Sequence, residues 1–353
     1  MANIKVLSLE EIASWSKELN KLPSNQRDVY YSPEYYSLYQ NYGDGKALCF
    51  VFEEDGELLL YPFLINSVNE IGYKLNDQYF DIQGAYGYNG VVSSSNNKSF
   101  IDSFHKCFDK WCLENKVIAE FTRFNPLTDN VRFASPYMQL INDRLTVKLD
   151  LTLDLDTIWM QQFNASNRNH IRKTEKKGVT VIESNDYTDF IRIYYETMKH
   201  VSAEEYYFFP ESYFNEFKES FPNNGILCYA MLDGQPISGA VFMFSEDYGH
   251  YHLGARDGNF SKYAAQNLVF WYGVQKAKER GCKWFHFGGG TSGDENDSLL
   301  RYKSFFSQDK GEFWIGKRIH NQDVYDSVVE QWKSRYPEKY AINNRRLLGY
   351  REL

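Results

Sequence analysis

Apolar positions along the chain change their period repeatedly, and the changes mark out its elements. "CFVFEEDGELLLYPFLI" (49–65) and "CYAMLDGQPISGAVFMF" (228–244) are each two apolar runs broken by Asp-Gly, the signature of a tight β-hairpin. Ile101, Phe104, Phe108, Trp111 and Cys112 recur at helical spacing before Asn115, as Ala264, Leu268, Trp271 and Tyr272 do before Gly281. Each of these helices runs into a short apolar strand, "VIAEFTRF" (117–124) and "KWFHFGG" (283–289). "YSPEYYSLY" and "FFPESYFNEF" both set Pro-Glu before an aromatic helix, with Pro33 and Pro210 suited to a first helical position. Pro33 and Pro210 lie 177 positions apart and Gly56 and Gly234 lie 178 apart, so the chain repeats itself once.

The repeat predicts two α/β domains, 1–147 and 148–353, each a mixed sheet flanked by helices, with a groove between them. The boundary falls near "RLTVKLDLTLD" (144–154), where a strand carries the chain into its second half. This element order resembles the N-acetyltransferase-like (GNAT) fold, in which two neighbouring central strands splay apart and an acyl group crosses the gap. In the second half those strands would be "GHYHLGA" (249–255) and "KWFHFGG", which places the acyl-transfer cleft in the C-terminal domain.

Composition narrows the classes. The 353 residues are 43% hydrophobic and 17% aromatic, enough for two cores of ordinary size. No segment has eighteen consecutive apolar residues and the N-terminus lacks a signal-peptide pattern, so a cytoplasmic protein without a transmembrane segment is expected. Five scattered cysteines without a CxxC pair imply reduced core thiols and no metal site. A net charge of -8 argues against a protein that coats nucleic acid, and no DNA partner is expected.

The chemically most suggestive stretch is "FHFGGGTSGDENDSLLRYKSFF" (285–306). Gly288 and Gly293 have the spacing of a phosphate loop, but Asp294 and Glu295 stand where Lys and Ser or Thr must follow. The three glycines instead let the chain leave a strand and, on a functional view, form a bare floor that a substrate approaches. Arg168, Arg172, Lys173, Lys176 and Lys177 put five cations beside one acid, Glu175, and helical spacing gathers Arg168, Arg172 and Lys176 on one arc opposite Ile171. Such an arc suits phosphates, although solvated charged faces are common.

With these stretches together the chain resembles the FemAB-type branch of the GNAT superfamily, whose members are peptidoglycan-bridge aminoacyltransferases and their kin. "AYGYNG" (85–90) resembles the family's PYGYGG-like turn, "RFNPL" (123–127) its R-x-x-P strand end, and "NRNHIRKTEKKGVTV" (167–181) its R-x-x-I-R-K segment. "FHFGGG" followed by "LLRYKSFF" resembles its closing strand, glycine turn and F-K-x-x-F helix. Ala85, Asn89 and Tyr302 depart from the family's Pro, Gly and Phe.

The resemblance implies an acyltransferase that moves an aminoacyl or acyl group onto an amine of a cell-envelope precursor, a peptide or an amino sugar. It places Lys303 beside the acyl carbonyl as an oxyanion donor, with Tyr251 and His252 on the splayed strand as further catalytic candidates. Strand alternation turns only one of that pair to the cleft. Arg168, Arg172, Lys173, Lys176, Tyr86, Tyr88, Tyr207 and Gly288, Gly289 and Gly290 are the substrate-binding candidates. No cofactor is bound tightly; the donor is an aminoacyl-tRNA or an acyl-CoA. "ARDGNFSKYAAQN" (255–267) lacks the spacing of the acetyl-CoA turn, which weakens the CoA alternative. Two other functions stay open: a CoA-dependent N-acetyltransferase with a small-molecule acceptor, and a non-catalytic duplicated scaffold that binds a nucleotide-sugar or protein partner.

Overall fold

The computed structural model describes residues 2–353. The elements run β1 (Asn3–Ser8), α1 (Ile12–Leu19), α2 (Pro33–Tyr42), β2 (Lys46–Glu54), β3 (Glu57–Ser67), β4 (Phe80–Gln83), β5 (Val92–Ser93), α3 (Lys98–Glu114) and β6 (Val117–Arg123). Then follow β7 (Gln139–Asp150), α4 (Leu155–Thr157), α5 (Ala165–Lys176), β8 (Thr180–Ser184), α6 (Thr188–His200), α7 (Glu211–Ser220), β9 (Gly225–Leu232), β10 (Gln235–Phe244) and β11 (Tyr248–Arg256). The chain closes with α8 (Ala265–Glu279), β12 (Trp284–Gly289), α9 (Ser298–Lys303), β13 (Lys310–Ile319), α10 (Gln322–Arg335) and α11 (Pro337–Asn343). By packing it divides into one unit of Met1–Asp143 with Phe313–Leu353 and a second of Arg144–Glu312. Among the described residues no helix is long and apolar enough to cross a membrane.

Both Asp-Gly hairpins form. Asp55 and Gly56 take φ of 52° and 85°, and Asp233 and Gly234 take 50° and 80°, so each turn uses two left-handed residues, as a twisted hairpin requires. Pro33 opens α2 as its first residue, whereas Pro210 sits one position earlier than expected, as the residue capping α7.

In the first unit the sheet order is β1-β2-β3-β4-β6-β13, with only β4 and β6 parallel. The apolar stripe of α3 supplies Phe104 and Phe108, which pack on Phe50, Phe52 and Phe63 of the β2–β3 hairpin. The second unit repeats the scheme as β7-β12-β11-β10-β9-β8, again with one parallel pair, β11 and β12. There α8 brings Phe270 onto Phe287 and Phe306, in one cluster with Phe242 and Phe285.

The C-terminal segment, expected in the second domain, packs with the first unit instead. Ile315–Ile319 of β13 pair with β6, and α10 buries Val328 and Trp332 against Val68, Tyr73 and Ile118. The last turn then inserts Tyr350, which is fully buried and donates its hydroxyl to Asp81 at 2.7 Å. The Arg351 guanidinium meets the same carboxylate at 2.8 Å. An amphipathic stripe in the sequence shows that a helix covers a sheet but not which sheet.

Candidate functional site

The parallel pair of the second unit comes apart. β11 and β12 pair at Tyr248–Trp284, Gly249–Phe285 and His250–His286 and then stop, although β11 continues to Arg256 and β12 to Gly289. β12 stays paired with β7 from Trp284 to Gly289, with a bulge between His286 and Gly288 where it leaves β11. The corresponding place in the first unit is stitched shut. Asn89 donates its backbone N–H to the Arg123 carbonyl at 2.6 Å, and its side-chain oxygen accepts the Arg123 N–H at 2.8 Å. The Arg123 guanidinium also reaches the carbonyls of Gly84 and Ala85. A Cβ on Gly84 would overlap the Asn89 amide, so the glycine and the asparagine are fitted to each other.

Lys303 ends α9 beside the open gap. Its side chain is buried, at 6% exposure, and its ammonium donates to the Gly289 carbonyl at 2.8 Å. The same nitrogen lies 5.5 Å from the centre of the Tyr251 ring and 3.1 Å from where a Cβ on Gly288 would be. Burial pushes its pKa down to about 7, with the Asp297 carboxylate pulling the other way. A lysine near neutrality and aimed at the end of a splayed strand is poised both to carry charge and to exchange a proton.

The loop before α9 is organised by Asp297. Its Oδ1 accepts the N–H groups of Leu299 and Leu300, both at 2.9 Å, capping the helix. Its Oδ2 accepts the N–H groups of Thr291 and Ser292 at 3.0 and 3.1 Å and the Thr291 hydroxyl at 2.5 Å. Burial opposes ionisation, but these donors hold the carboxyl well below the usual carboxylate range. The glycines fit around this arrangement. Gly288 has φ of 81°, which favours glycine, and a Cβ on Gly290 would overlap Asp297 Oδ1. On Gly289 a Cβ would lie 3.1 Å from the Leu145 carbonyl. Lys303, the Leu145 carbonyl of β7 and Asp297 thus crowd the positions where side chains on the three glycines would begin.

Strand alternation separates Tyr251 from His252. Tyr251 faces α8, its ring edge-on to Phe270 at 4.6 Å, and its hydroxyl occupies the position a Cβ on Gly254 would need. His252 points to the other face, where it is buried, stacks on Phe217 and meets the Tyr213 hydroxyl at 2.9 Å. Burial pushes its pKa down to about 3. The strand thus brings Tyr251 to Lys303 and carries His252 away from it.

The other candidates are dispersed. In α5, Arg172, Lys173 and Lys176 are exposed, with Arg172 over the Trp159 ring at 5.4 Å. Arg168, expected on the same phosphate-binding arc, instead gives its guanidinium to the carbonyls of Trp159, Met160 and Phe163. The carbonyls are exposed where the turn before α5 ends, and a guanidinium satisfies several at once. In the first unit Tyr88 packs edge-on to Tyr30 and Phe313, and the Tyr86 carbonyl accepts the Tyr35 hydroxyl at 2.7 Å. Tyr207, half-buried in the second unit, has its carbonyl bound by the Tyr194 hydroxyl at 2.8 Å. Among the described residues no group of three His, Cys, Asp or Glu side chains could hold a metal ion.

Two kinds of residue were missed. Asp297 is one, although its place directly before "SLLRYK" is that of a helix cap. Asn167 and Asn267, both buried, join α5 to α8 through a 2.7 Å hydrogen bond. The available signal was an asparagine one helical turn before Ile171, on the stripe that should be apolar.

Known proteins share this fold. Residues 162–304 match a family model described as an acetyltransferase (GNAT) domain. FemX aligns over 92% of this chain and 99% of its own, with a TM-score of 0.69 at 15% identity. The chain carries a GNAT domain within a FemX-like fold. That GNAT domain coincides with the unit whose strands splay. The C-terminal domain of a putative lysylphosphatidylglycerol synthetase from Agrobacterium fabrum is similar too, covering 92% of this chain and 96% of its own, with a TM-score of 0.53 at 13% identity. A tandem GNAT protein from the clavulanic acid biosynthesis pathway covers 90% of this chain and 98% of its own, with a TM-score of 0.50 at 9% identity. The two units, each with one parallel pair in an otherwise antiparallel sheet, are a tandem GNAT arrangement. A search of curated proteins returned no match.

Proposed function

We propose that the second unit is the catalytic domain of an acyltransferase that moves an aminoacyl group from an ester or thioester to an amine of a cell-envelope component. What carries the proposal is the buried Lys303 ammonium at the end of the splayed β12, over Tyr251. In the reaction the acceptor nitrogen attacks the acyl carbonyl carbon, whose oxygen takes up negative charge. Lys303, protonated, donates to that oxygen. Collapse of the intermediate re-forms the carbonyl, expels the ester oxygen or thiolate, and releases one proton from the acceptor nitrogen. A fixed donor of this kind contributes about 10²-fold to 10³-fold in rate. Tyr251, whose ring lies beside the ammonium, shields it from water and keeps its charge effective.

The aminoacyl and envelope parts of the proposal draw on the FemX likeness and on the lysylphosphatidylglycerol synthetase domain, whose name denotes formation of an aminoacylated lipid. Donor and acceptor are separable by assay. Purified protein is incubated with charged tRNA or with a set of acyl-CoA thioesters, each with envelope-precursor amines, and donor cleavage is followed with wild type and Lys303→Met. Loss of turnover in Lys303→Met with an intact fold is expected; turnover equal to wild type would defeat the role given to Lys303. The exposed Arg172, Lys173 and Lys176 are proposed to contact donor phosphates, so replacing them by glutamate should raise KM and flatten its dependence on salt.

A further inference from the structure

Lys303 hangs between two residues that are tied to the same buried chain of amides. The Tyr302 hydroxyl donates to Asn267 Oδ1 at 3.1 Å, and Asn267 Nδ2 donates to Asn167 Oδ1 at 2.7 Å. Asn167 Nδ2 in turn reaches the Phe305 carbonyl at 3.3 Å, and the Asn164 N–H donates to that carbonyl at 3.0 Å. The residue before Lys303 and the second residue after it are thus anchored to α8 and α5. Asn167 is fully buried and Asn267 is 6% exposed.

An apolar packing of the same volume would stabilise this place as well as a neutral amide chain does, because each buried amide first loses its water. What directional bonds add is geometry. Geometry is what α9 lacks: at six residues it is too short to hold itself, and it depends on Asp297 at its start and on the amide chain at its end. Tyr302 is also where this chain departs from the Phe of the motif it resembles, so its hydroxyl and Asn267 form a link particular to this chain.

We propose that Asn267, acting through Tyr302 and supported by Asn167, is a positioning residue that fixes the Lys303 ammonium at the end of β12 and over the Tyr251 ring. The inference rests on the assignment of Lys303 as the oxyanion donor. With the link cut, α9 loosens, water reaches the amine, and the ammonium loses its aim.

The test uses the full chain with Tyr302→Phe, which deletes only the hydroxyl, and Asn267→Leu, which keeps the volume. The Lys303 titration is read from its 13Cε chemical shift, assigned by the signal's absence in Lys303→Met. The wild-type midpoint near 7 should move up by about one pH unit or more in both variants, as water admits the charged form. With the donor identified above, kcat should fall about tenfold or more while KM stays within about twofold, the pattern of lost alignment rather than lost binding. Should Asn267→Leu not fold, Tyr302→Phe decides alone. An unmoved midpoint or an unchanged kcat in folded Tyr302→Phe overturns the inference. Normal turnover in Lys303→Met would instead remove the assignment on which it rests, whatever the midpoints do.

Discussion

Replacing Lys303 with methionine should make the protein more stable while disabling it. The amine has a pKa of about 7 in the fold against 10.5 for an ordinary lysine, and each unit is worth about 1.4 kcal/mol. At pH 7 the fold is therefore penalised by about 4 kcal/mol for burying a group that the unfolded chain keeps charged in water. Between pH 7 and 10.5 the unfolded chain binds more protons than the native one, so wild-type stability rises with pH across that window. Below pH 7 the native amine becomes protonated as well, and the penalty levels off at about 5 kcal/mol. Methionine has nearly the same length and no charge, but it gives up the hydrogen bond to the Gly289 carbonyl, worth about 1 kcal/mol. Lys303→Met should exceed wild type by about 3 kcal/mol at pH 7 and by only about 1 kcal/mol at pH 9. Urea denaturation at the two pH values, at one ionic strength, measures the difference. A variant less stable than wild type at pH 7, or a difference that does not shrink by pH 9, would refute burial as the origin of the shifted amine.

Turnover that depends on protonated Lys303 should decline as pH rises through about 7, so kcat followed from pH 6 to 9 is expected to fall; a flat profile would contradict the ammonium's role. Gly290→Ala forces the Asp297 carboxylate off its donors and should cost about 2 kcal/mol in thermal unfolding, with an unchanged melting temperature counting against the described loop. Arg351→Ala leaves Asp81 buried without its guanidinium, and burial already raises that carboxyl's pKa. A loss of about 3 kcal/mol is expected, and one below about 1 kcal/mol would mean that the C-terminal turn contributes little.

The parts of the fold visible in the sequence were those that local rules specify. Asp55-Gly56 and Asp233-Gly234 demand left-handed turns wherever they stand, so both hairpins could be read directly. Alternation along 249–255 required Tyr251 and His252 to part, but only the packing of α8 and α7 decided which of them meets Lys303. Burial of Lys303 is tertiary: one lysine in a polar helix looks solvated, and only the order of motifs singled it out. Arg168 looked like part of a phosphate arc because charge spacing is local, whereas the carbonyls that capture it come from the preceding turn. The tail "NNRRLLGYREL" offered no periodicity at all, since Tyr350 and Arg351 find Asp81 about 270 residues upstream.

The asparagine that stitches the first unit's strands marks where the two copies differ. Once a fold is doubled, only one copy must keep a fissure in its sheet, and an open fissure leaves backbone groups that something has to satisfy. In the first copy Asn89 supplies that something from within, lending its amide as a surrogate strand residue to Arg123. The first copy thereby closes its own sheet at the place where the second leaves β11 and β12 apart.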